Sequence, residues 1–342
     1  MGLIPVLIGV PAVIAVLLSL IRSEKVRGIV VYAGAGGVMV LTLGLLFSWI
    51  QNGCEVQSLY VNTELVDHLM MIGEAFLMCL IVFLSIKHRK ILPAILSVAQ
   101  TGLLFYVELT ADLPEAEHMT VDRLALLMCV IIAFVGGFIC IYAVGYMKGY
   151  HHHHKEFKDR QPFFFSMLFL FLAAMFGLVL SLNLIWMYFF WEITSVISFL
   201  LIGYTRTEEA VHNSFAALWM NLLGGLGFAV GIGLAAFQLH SVQLTAVVEW
   251  GAPLPLACLC LAGLTKSAQL PFSSWLLGAM VAPTPSSALL HSATMVKAGV
   301  YLLIRLAPAM NGTIVGLMVS LIGGFTFIAA SMMAIAQNDG KK

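Results

Sequence analysis

Long uninterrupted apolar runs dominate this chain, and they leave few folds open to it. They fall at about 3–21, 28–50, 66–87, 90–110, 121–146, 162–181, 183–203, 213–238, 254–280, 285–306 and 312–336. A helix needs ~20 mostly apolar residues to cross the hydrocarbon of a bilayer, and each run supplies them. Barrel strands would be shorter and would alternate polar with apolar residues. A helix also satisfies its own backbone groups where no water can. Charge content separates lipid from a large soluble core: 61% of residues are hydrophobic and 10% charged, against ~25% charged in soluble domains. The expected fold class is all-α, a polytopic transmembrane bundle of about eleven spanning helices. The Met1–Ile21 run lacks a basic leader and a small-residue cleavage site, so it reads as the first spanning helix and not as a removable signal.

The loops support this helix count. With the N-terminus outside, the inner loops collect Arg22, Lys25 and Arg27, then Lys87, Arg89 and Lys90, then Lys148, Lys155, Lys158 and Arg160, then Arg206, and finally Lys341 and Lys342. The opposite loops carry Glu55, Glu64 and Asp67, then Asp112, Glu115 and Glu117, then Glu249. Basic residues are retained on the cytoplasmic side of membrane proteins, and a wrong helix count would scramble the pattern. The net charge is zero and the basic residues form no soluble patch, so no nucleic-acid partner is expected.

Ionisable groups inside a membrane are costly and ask for a reason. Glu192 lies about nine residues into its run, roughly 14 Å deep at 1.5 Å per residue. Lys266 sits about twelve residues into the run that begins near Leu254, and His291 and Lys297 share the next run. The Lys266 run is expected to be broken, because Pro271 removes a backbone donor and clashes with the preceding turn. Ser267, Gln269, Ser273 and Ser274 lie beside the break, and such broken helices with polar neighbours build ion sites in transporters. Pro283-Thr284-Pro285 then suits a helix start. Glu192, Lys266, His291 and Lys297 together read as a proton-translocation relay, in which movement of the carboxylate loads or unloads the lysine.

Other features read as structural. Thr120 and Asp122 suit a capped helix start. Arg305, near a helix end, is expected to snorkel to the surface. Glycine pairs at 136–137, 224–225 and 323–324 read as close-packing sites. The His151–His154 run reads as a solvated basic loop, since no acidic or cysteine partner accompanies it. Cys54, Cys79, Cys129, Cys140, Cys258 and Cys260 form no C-x-x-C pair and read as small hydrophobes. Glu74 and Glu108 have no evident partner, and their role stays open.

At the charged runs the chain resembles a known family. The strings are Phe190-Trp191-Glu192-Ile193-Thr194-Ser195 with Phe199-Leu200-Leu201-Ile202-Gly203, and Thr265-Lys266-Ser267-Ala268-Gln269-Leu270-Pro271-Phe272 with Trp275-Leu276. Ala282-Pro283-Thr284-Pro285-Ser286-Ser287-Ala288 follows, and then the run from His291-Ser292-Ala293-Thr294-Met295-Val296-Lys297 to Tyr301. In this order and spacing they are similar to the antiporter-like subunits shared by respiratory complex I, Mrp-type Na+/H+ antiporters and membrane-bound hydrogenases. The wording stands closer to the last two branches. The resemblance covers roughly 118–342, which would form the antiporter-like domain, with 1–117 as branch-specific N-terminal helices. It implies that Glu192 and Lys266 are the carboxylate–lysine pair of a half-channel, and that His291 and Lys297 lead toward the central axis. It also implies one complete five-helix repeat and the start, at 312–336, of an inverted second one. Asp339-Gly340-Lys341-Lys342 looks like the lead-in to a longer continuation, so the chain is expected to be truncated before its second half-channel.

The resemblance implies an ion-translocating membrane subunit, moving protons or exchanging Na+ for them. Its partners would be other membrane subunits of a multisubunit complex, in the lipid bilayer of an energy-coupling bacterial or archaeal plasma membrane. A scaffold that anchors redox partners without transporting is the alternative. No cofactor or metal is expected, because the chain has no dinucleotide fingerprint and no cysteine set for an iron–sulfur cluster. Any oxidoreductase activity would belong to partner subunits.

Overall fold

The computed structural model describes residues 2–60, 64–111, 113–114, 117–154 and 156–337. Asp112, Glu115, Lys155 and the terminal Asp339-Gly340-Lys341-Lys342 lie outside the described residues, as do the side chains of Glu64, Ser292 and Ala293.

The apolar runs fold as helices. These are α1 (Leu3–Leu20), α2 (Glu24–Gln51), α3 (Glu64–Lys87), α4 (Ile91–Thr110), α5 (Arg123–Ile131) continued through a π turn at Ile132–Gly136 into α6 (Gly137–His153), α7 (Gln161–Leu180), α8 (Leu184–Ile202) and α9 (Glu208–Leu239). The short α10 (Leu244–Trp250) precedes α11 (Pro253–Lys266), α12 (Ser274–Gly278), α13 (Thr284–Ala288), a π turn at Leu289–Ala293, α14 (Met295–Met310) and α15 (Ile314–Ile335). Among the described residues ten helical segments are long and apolar enough to cross a membrane, and α11 is a shorter apolar helix. Together they match the eleven runs read from the sequence.

Capping sets several starts. Side-chain oxygens of Asp122, Asn183, Thr207 and Thr313 accept hydrogen bonds from first-turn N–H groups of α5, α8, α9 and α15. The run at 254–280 is broken, as its proline suggested: α11 stops at Lys266, and the single turn of α12 follows and runs into a 3-10 turn at Ala279–Val281. The run at 285–306 is not one regular helix either, since the π turn at Leu289–Ala293 interrupts it.

Burial orders the bundle. α7 and α8 form its centre, 83% and 78% buried over their apolar windows, whereas α15 is 6% buried. α1 packs on α7, α2 on α6, α3 on α4 and α8, α4 on α9, and α11 between α9 and α14. Peripheral helices turn large apolar side chains outward, including Leu20, Phe47, Phe76, Phe83 and Ile335. In water such a surface would aggregate, whereas lipid is its matched solvent. Gly136 and Gly137 admit Leu172 and Met39 at distances a Cβ would not allow, 2.5 and 2.6 Å from its ideal position, which bears out that pair as a packing site.

A two-stranded antiparallel ribbon ties the acidic-loop face. β1 (Gln57–Leu59) pairs with β2 (Met119–Val121), and bridges run from Met119 to Ser181 and from Asn183 to Gln243. The starts of α3, α5 and α8 and the end of α4 therefore gather at one face.

Two basic residues sit differently from the sequence reading. Arg27, placed in a loop by hydropathy, is 5% exposed within α2 and donates to Gln161 Oε1 at 2.8 Å. Arg305 does not snorkel to the surface. Its guanidinium forks onto the Asp122 carboxylate and also donates to Tyr301 Oη at 2.8–2.9 Å, and Tyr301 Oη in turn donates to Val179 O at 2.6 Å. Asp122 also caps α5 through Ala125 N at 2.8 Å, so its carboxylate joins α5 to α14, and Tyr301 carries the link on to α7. Paired, hydrogen-bonded charges can be tolerated in such a place where a lone one cannot.

Burial raises the Asp122 pKa, but hydrogen bonds from Arg305 and Ala125 N and the Arg305 charge outweigh it and hold the carboxyl below its ordinary value. Its stabilisation is therefore complete above the ordinary aspartate range and is lost as pH falls through the depressed value. Asp122→Asn is expected to cost ~2 kcal/mol at neutral pH. The gap to the unaltered protein should close in acid, as read from thermal unfolding in detergent at pH 7 and pH 3.

Candidate functional site

α8 carries its charge far from either end. The helix is fixed at its start by Asn183 Oδ1, which accepts from Ile185 N at 2.8 Å, and Glu192 follows two turns later, 4% exposed. Polar residues after it turn their hydroxyls onto the helix itself: Thr194 Oγ1 donates to Trp191 O at 2.7 Å, Ser195 Oγ to Trp191 O at 3.1 Å, and Ser198 Oγ to Thr194 O at 2.6 Å. Trp191 O is the focus, because it also accepts from Lys266 Nζ at 3.0 Å.

Lys266 comes to this point because α11 ends there. Ser267 terminates the helix and Ala268 follows in the left-handed region at φ 55°, which directs the chain away. The freed carbonyls and amides find partners: Trp275 Nε1 donates to Thr265 O at 3.1 Å, Gln269 Nε2 to Ser267 O at 3.3 Å, and Leu270 N to Thr326 Oγ1 at 3.0 Å. The ammonium at the helix's negative end is 0% exposed and donates to Trp191 O and, at 2.8 Å, to Ser195 Oγ, with the Trp191 ring centroid 4.7 Å away. Both hydrogen bonds go to α8. Lys266 and Glu192 form no ion pair within 4.0 Å, so the ammonium is held by α8 without closing on its carboxylate.

Glu192 is held from the other side. Its Oε2 accepts from Gln100 Nε2 of α4 at 2.9 Å, while Oε1 has no hydrogen-bond partner among the described residues. Sequence reading did not single out Gln100. A signal existed in Ser97, Gln100 and Thr101, which form a polar patch on an apolar helix at helical spacing and are all buried.

Glycines make the approach possible. An ideal Cβ on Gly225 would sit 2.6 Å from Glu192 Oε1 and 2.7 Å from Gln100 Oε1, and one on Gly224 would sit 1.9 Å from Thr265 Oγ1 and 2.9 Å from Thr265 Cβ. On the other flank of α11, a Cβ on Gly299 would lie 2.5 Å from Gly263 O. The pair 224–225 thus packs closely, as expected. Gly323 and Gly324 meet nothing within 4 Å in this chain.

The structure brings Glu192 and Lys266 together and places the other two relay candidates elsewhere. His291 is half-buried on the Leu289–Ala293 π turn, which packs against the π turn at Ile132–Gly136. Lys297 is exposed, on the same stripe of α14 as Ile304, while Met295, Ala298, Tyr301 and Leu302 turn inward. In the His151–His154 run, His151 Nε2 shares a hydrogen bond with Tyr204 Oη at 2.9 Å and lies 3.6 Å from Asp159.

The strings that build this geometry match a family model. Residues 181–342 match the model described as NADH:quinone oxidoreductase/Mrp antiporter, TM, and residues 117–157 match that of the NADH-Ubiquinone oxidoreductase (complex I), chain 5 N-terminus. The chain belongs to the antiporter-like membrane subunit family. With its apolar helices, membership makes it a multi-pass integral membrane protein. Over 255 residues it is 39% identical to a probable K(+)/H(+) antiporter subunit of Rhizobium meliloti (strain 1021), covering 71% of this chain and 25% of that one. Over 232 residues it is 38% identical to a Na(+)/H(+) antiporter subunit of Staphylococcus aureus (strain bovine RF122 / ET3-1), covering 64% and 28%. The fold is similar to a chain in the structure of the Mrp complex from Dietzia sp. DQ12-45-1b, with a TM-score of 0.63 at 23% identity over 93% of this chain and 29% of that one. This antiporter-like chain thus spans about a quarter of the length of the curated relatives it matches.

The glycine contacts set an order of severity. Gly224→Ala is expected to destabilise by ~1–3 kcal/mol, because the Thr265 Cβ cannot rotate away and α9 must separate from α11. Gly225→Ala should cost less, since only the flexible ends of Glu192 and Gln100 are displaced, and Gly323→Ala should change little. Thermal unfolding of the three proteins in detergent would check this ranking.

Proposed function

We propose that this chain is an ion-translocating component of a multisubunit membrane assembly, in which protons pass through Glu192, Lys266, His291 and Lys297. The observation that carries the reading is the Lys266 ammonium, wholly enclosed and hydrogen-bonded only to the helix that bears Glu192. A lysine there is poor glue: it bonds a carbonyl and a hydroxyl already engaged within α8, and it leaves Glu192 Oε1 without a donor among the described residues. Such an arrangement suits a group that gains and loses a partner. A shift of α8 or of the unwound segment after Lys266 would change the distance between carboxylate and ammonium, and with it the proton occupancy of each. His291, on a π turn beside the next helix, and Lys297, exposed on that helix, would hand the proton toward whatever covers α14.

The named relatives are Na(+)/H(+) and K(+)/H(+) antiporter subunits, which supports a proton exchanged for a monovalent cation. Other membrane subunits would supply the rest of the path, in the plasma membrane of a bacterial or archaeal cell.

In vesicles containing the assembled complex, Lys266→Ala and Glu192→Ala should each reduce formation or dissipation of the pH gradient by ten-fold or more. Quenching of a pH-sensitive dye would report the flux, and immunoblotting would confirm insertion. Full transport by either variant would refute the relay and favour a scaffold.

A further inference from the structure

Helices α3 and α4 bring further carboxyl groups to Glu192. Going inward from the acidic-loop face, Asp67 is exposed near the start of α3, Glu108 is half-buried near the end of α4, and Glu74 is 4% exposed. At 1.5 Å per residue Asp67 and Glu108 lie within about 5 Å of their helix ends, and Glu74 and Glu192 about 12–15 Å in. These ends share a face because the ribbon joins them: His118 N donates to Leu59 O at 3.2 Å, and His118 O accepts from Leu182 N at 2.8 Å. Trp186 Nε1 of α8 donates to Asp67 Oδ1 at 2.8 Å, which seats the mouth of α3 on α8. Deeper in, Gly73 lets Phe189 approach to 2.7 Å of an ideal Cβ, so α3 lies against α8 at the level of Glu74.

The interior of this line holds buried polar oxygens without partners. Neither carboxyl oxygen of Glu74 has a hydrogen-bond partner among the described residues, and the same holds for Glu192 Oε1, Gln100 Oε1 and the Tyr188 hydroxyl. Glu192 and Gln100 aim their unpartnered oxygens at one spot, each within 2.7 Å of the ideal Cβ position on Gly225. Glu74 is within Coulombic range of both Glu108 and Glu192, Glu108 of Asp67, and Tyr188 of both Glu74 and Glu192. A buried acceptor left alone costs several kcal/mol, and three at one place call for donors from outside the protein. Water or a hydrated proton would supply them.

We propose that Glu74 and Glu108 form a proton access route between the acidic-loop surface and Glu192, so that α3 and α4 feed the relay. The proposal rests on the reading of Glu192 as a proton carrier. Each carboxylate takes a proton on one oxygen and passes a proton on, regaining its charge, so the line conducts without net chemical change.

Three variants and one accessibility measurement test it in vesicles of the assembled complex. Glu74→Gln should lower proton flux at least ten-fold, as Glu192→Gln should, and Glu74→Asp should restore half or more. Near-normal flux in Glu74→Gln, beside a dead Glu192→Gln, would overturn the route and leave the relay standing. Separately, Glu74→Cys, in a protein whose own cysteines are replaced by serine, should react with a membrane-impermeant cationic thiosulfonate added at the acidic-loop face. Phe76→Cys, on the exposed side of α3, should not. Protection of the cysteine at 74 would overturn the route even if Glu192→Gln retained flux, a result that would sink the relay itself.

Discussion

One ammonium without a carboxylate in contact organises the centre of this protein. Lys266 could not stay charged in lipid unless something replaced its water, and the carbonyl of Trp191 with the hydroxyl of Ser195 does so. For those groups to meet, α11 has to stop at Lys266 and α8 has to lie alongside. α9 also has to offer Gly224, where a larger residue would force α9 and α11 apart, and Gly225, where one would displace the ends of Glu192 and Gln100. The break at Ser267–Ser273 is therefore part of the site, and its loose backbone groups are collected by Gln269, Trp275 and Thr326.

The same incompleteness appears on the far side of Glu192. A carboxylate fully satisfied by Lys266 would be a rigid strut. Here one oxygen is tied to Gln100 and the other, like both oxygens of the buried Glu74, has no partner among the described residues. Unsatisfied buried polar groups are uncommon in native interiors and usually mark function. In contrast, the charges at Asp122 and Arg305 are closed on each other and on Tyr301, and they read as a fastening between helices. Two sets of buried charge in one bundle are thus distinguished by whether their hydrogen bonds are complete.

Much of this was legible in the residues. The apolar runs placed eleven helical segments, Pro271 marked the break, Asp122 marked a cap, and Glu192 and Lys266 stood out as charges inside apolar runs. Three things were not. Arg305 looked like a residue near a helix end, and only the meeting of α14 with α5 showed Asp122 waiting for it. Lys297 and Lys266 look equally deep by residue count, but one is exposed and the other enclosed. Glu74 and Glu108 read as isolated because only the packing of α3 on α4 and α8 brings Glu74 near Glu108 and Glu192.

The sequence by itself determined that the chain lives in lipid, where its helical segments fall, where one of them breaks and which family's signature it bears. Those are local properties: hydropathy over a single run, a proline's missing donor, a string of side chains at fixed spacing. Tertiary structure alone decided which charges share a site. Depth along a helix can be counted from sequence, but the direction a residue faces matters only once a neighbouring helix is there to receive it. That neighbour is chosen by packing between segments as distant as Gln100 and Glu192, or Asp122 and Arg305.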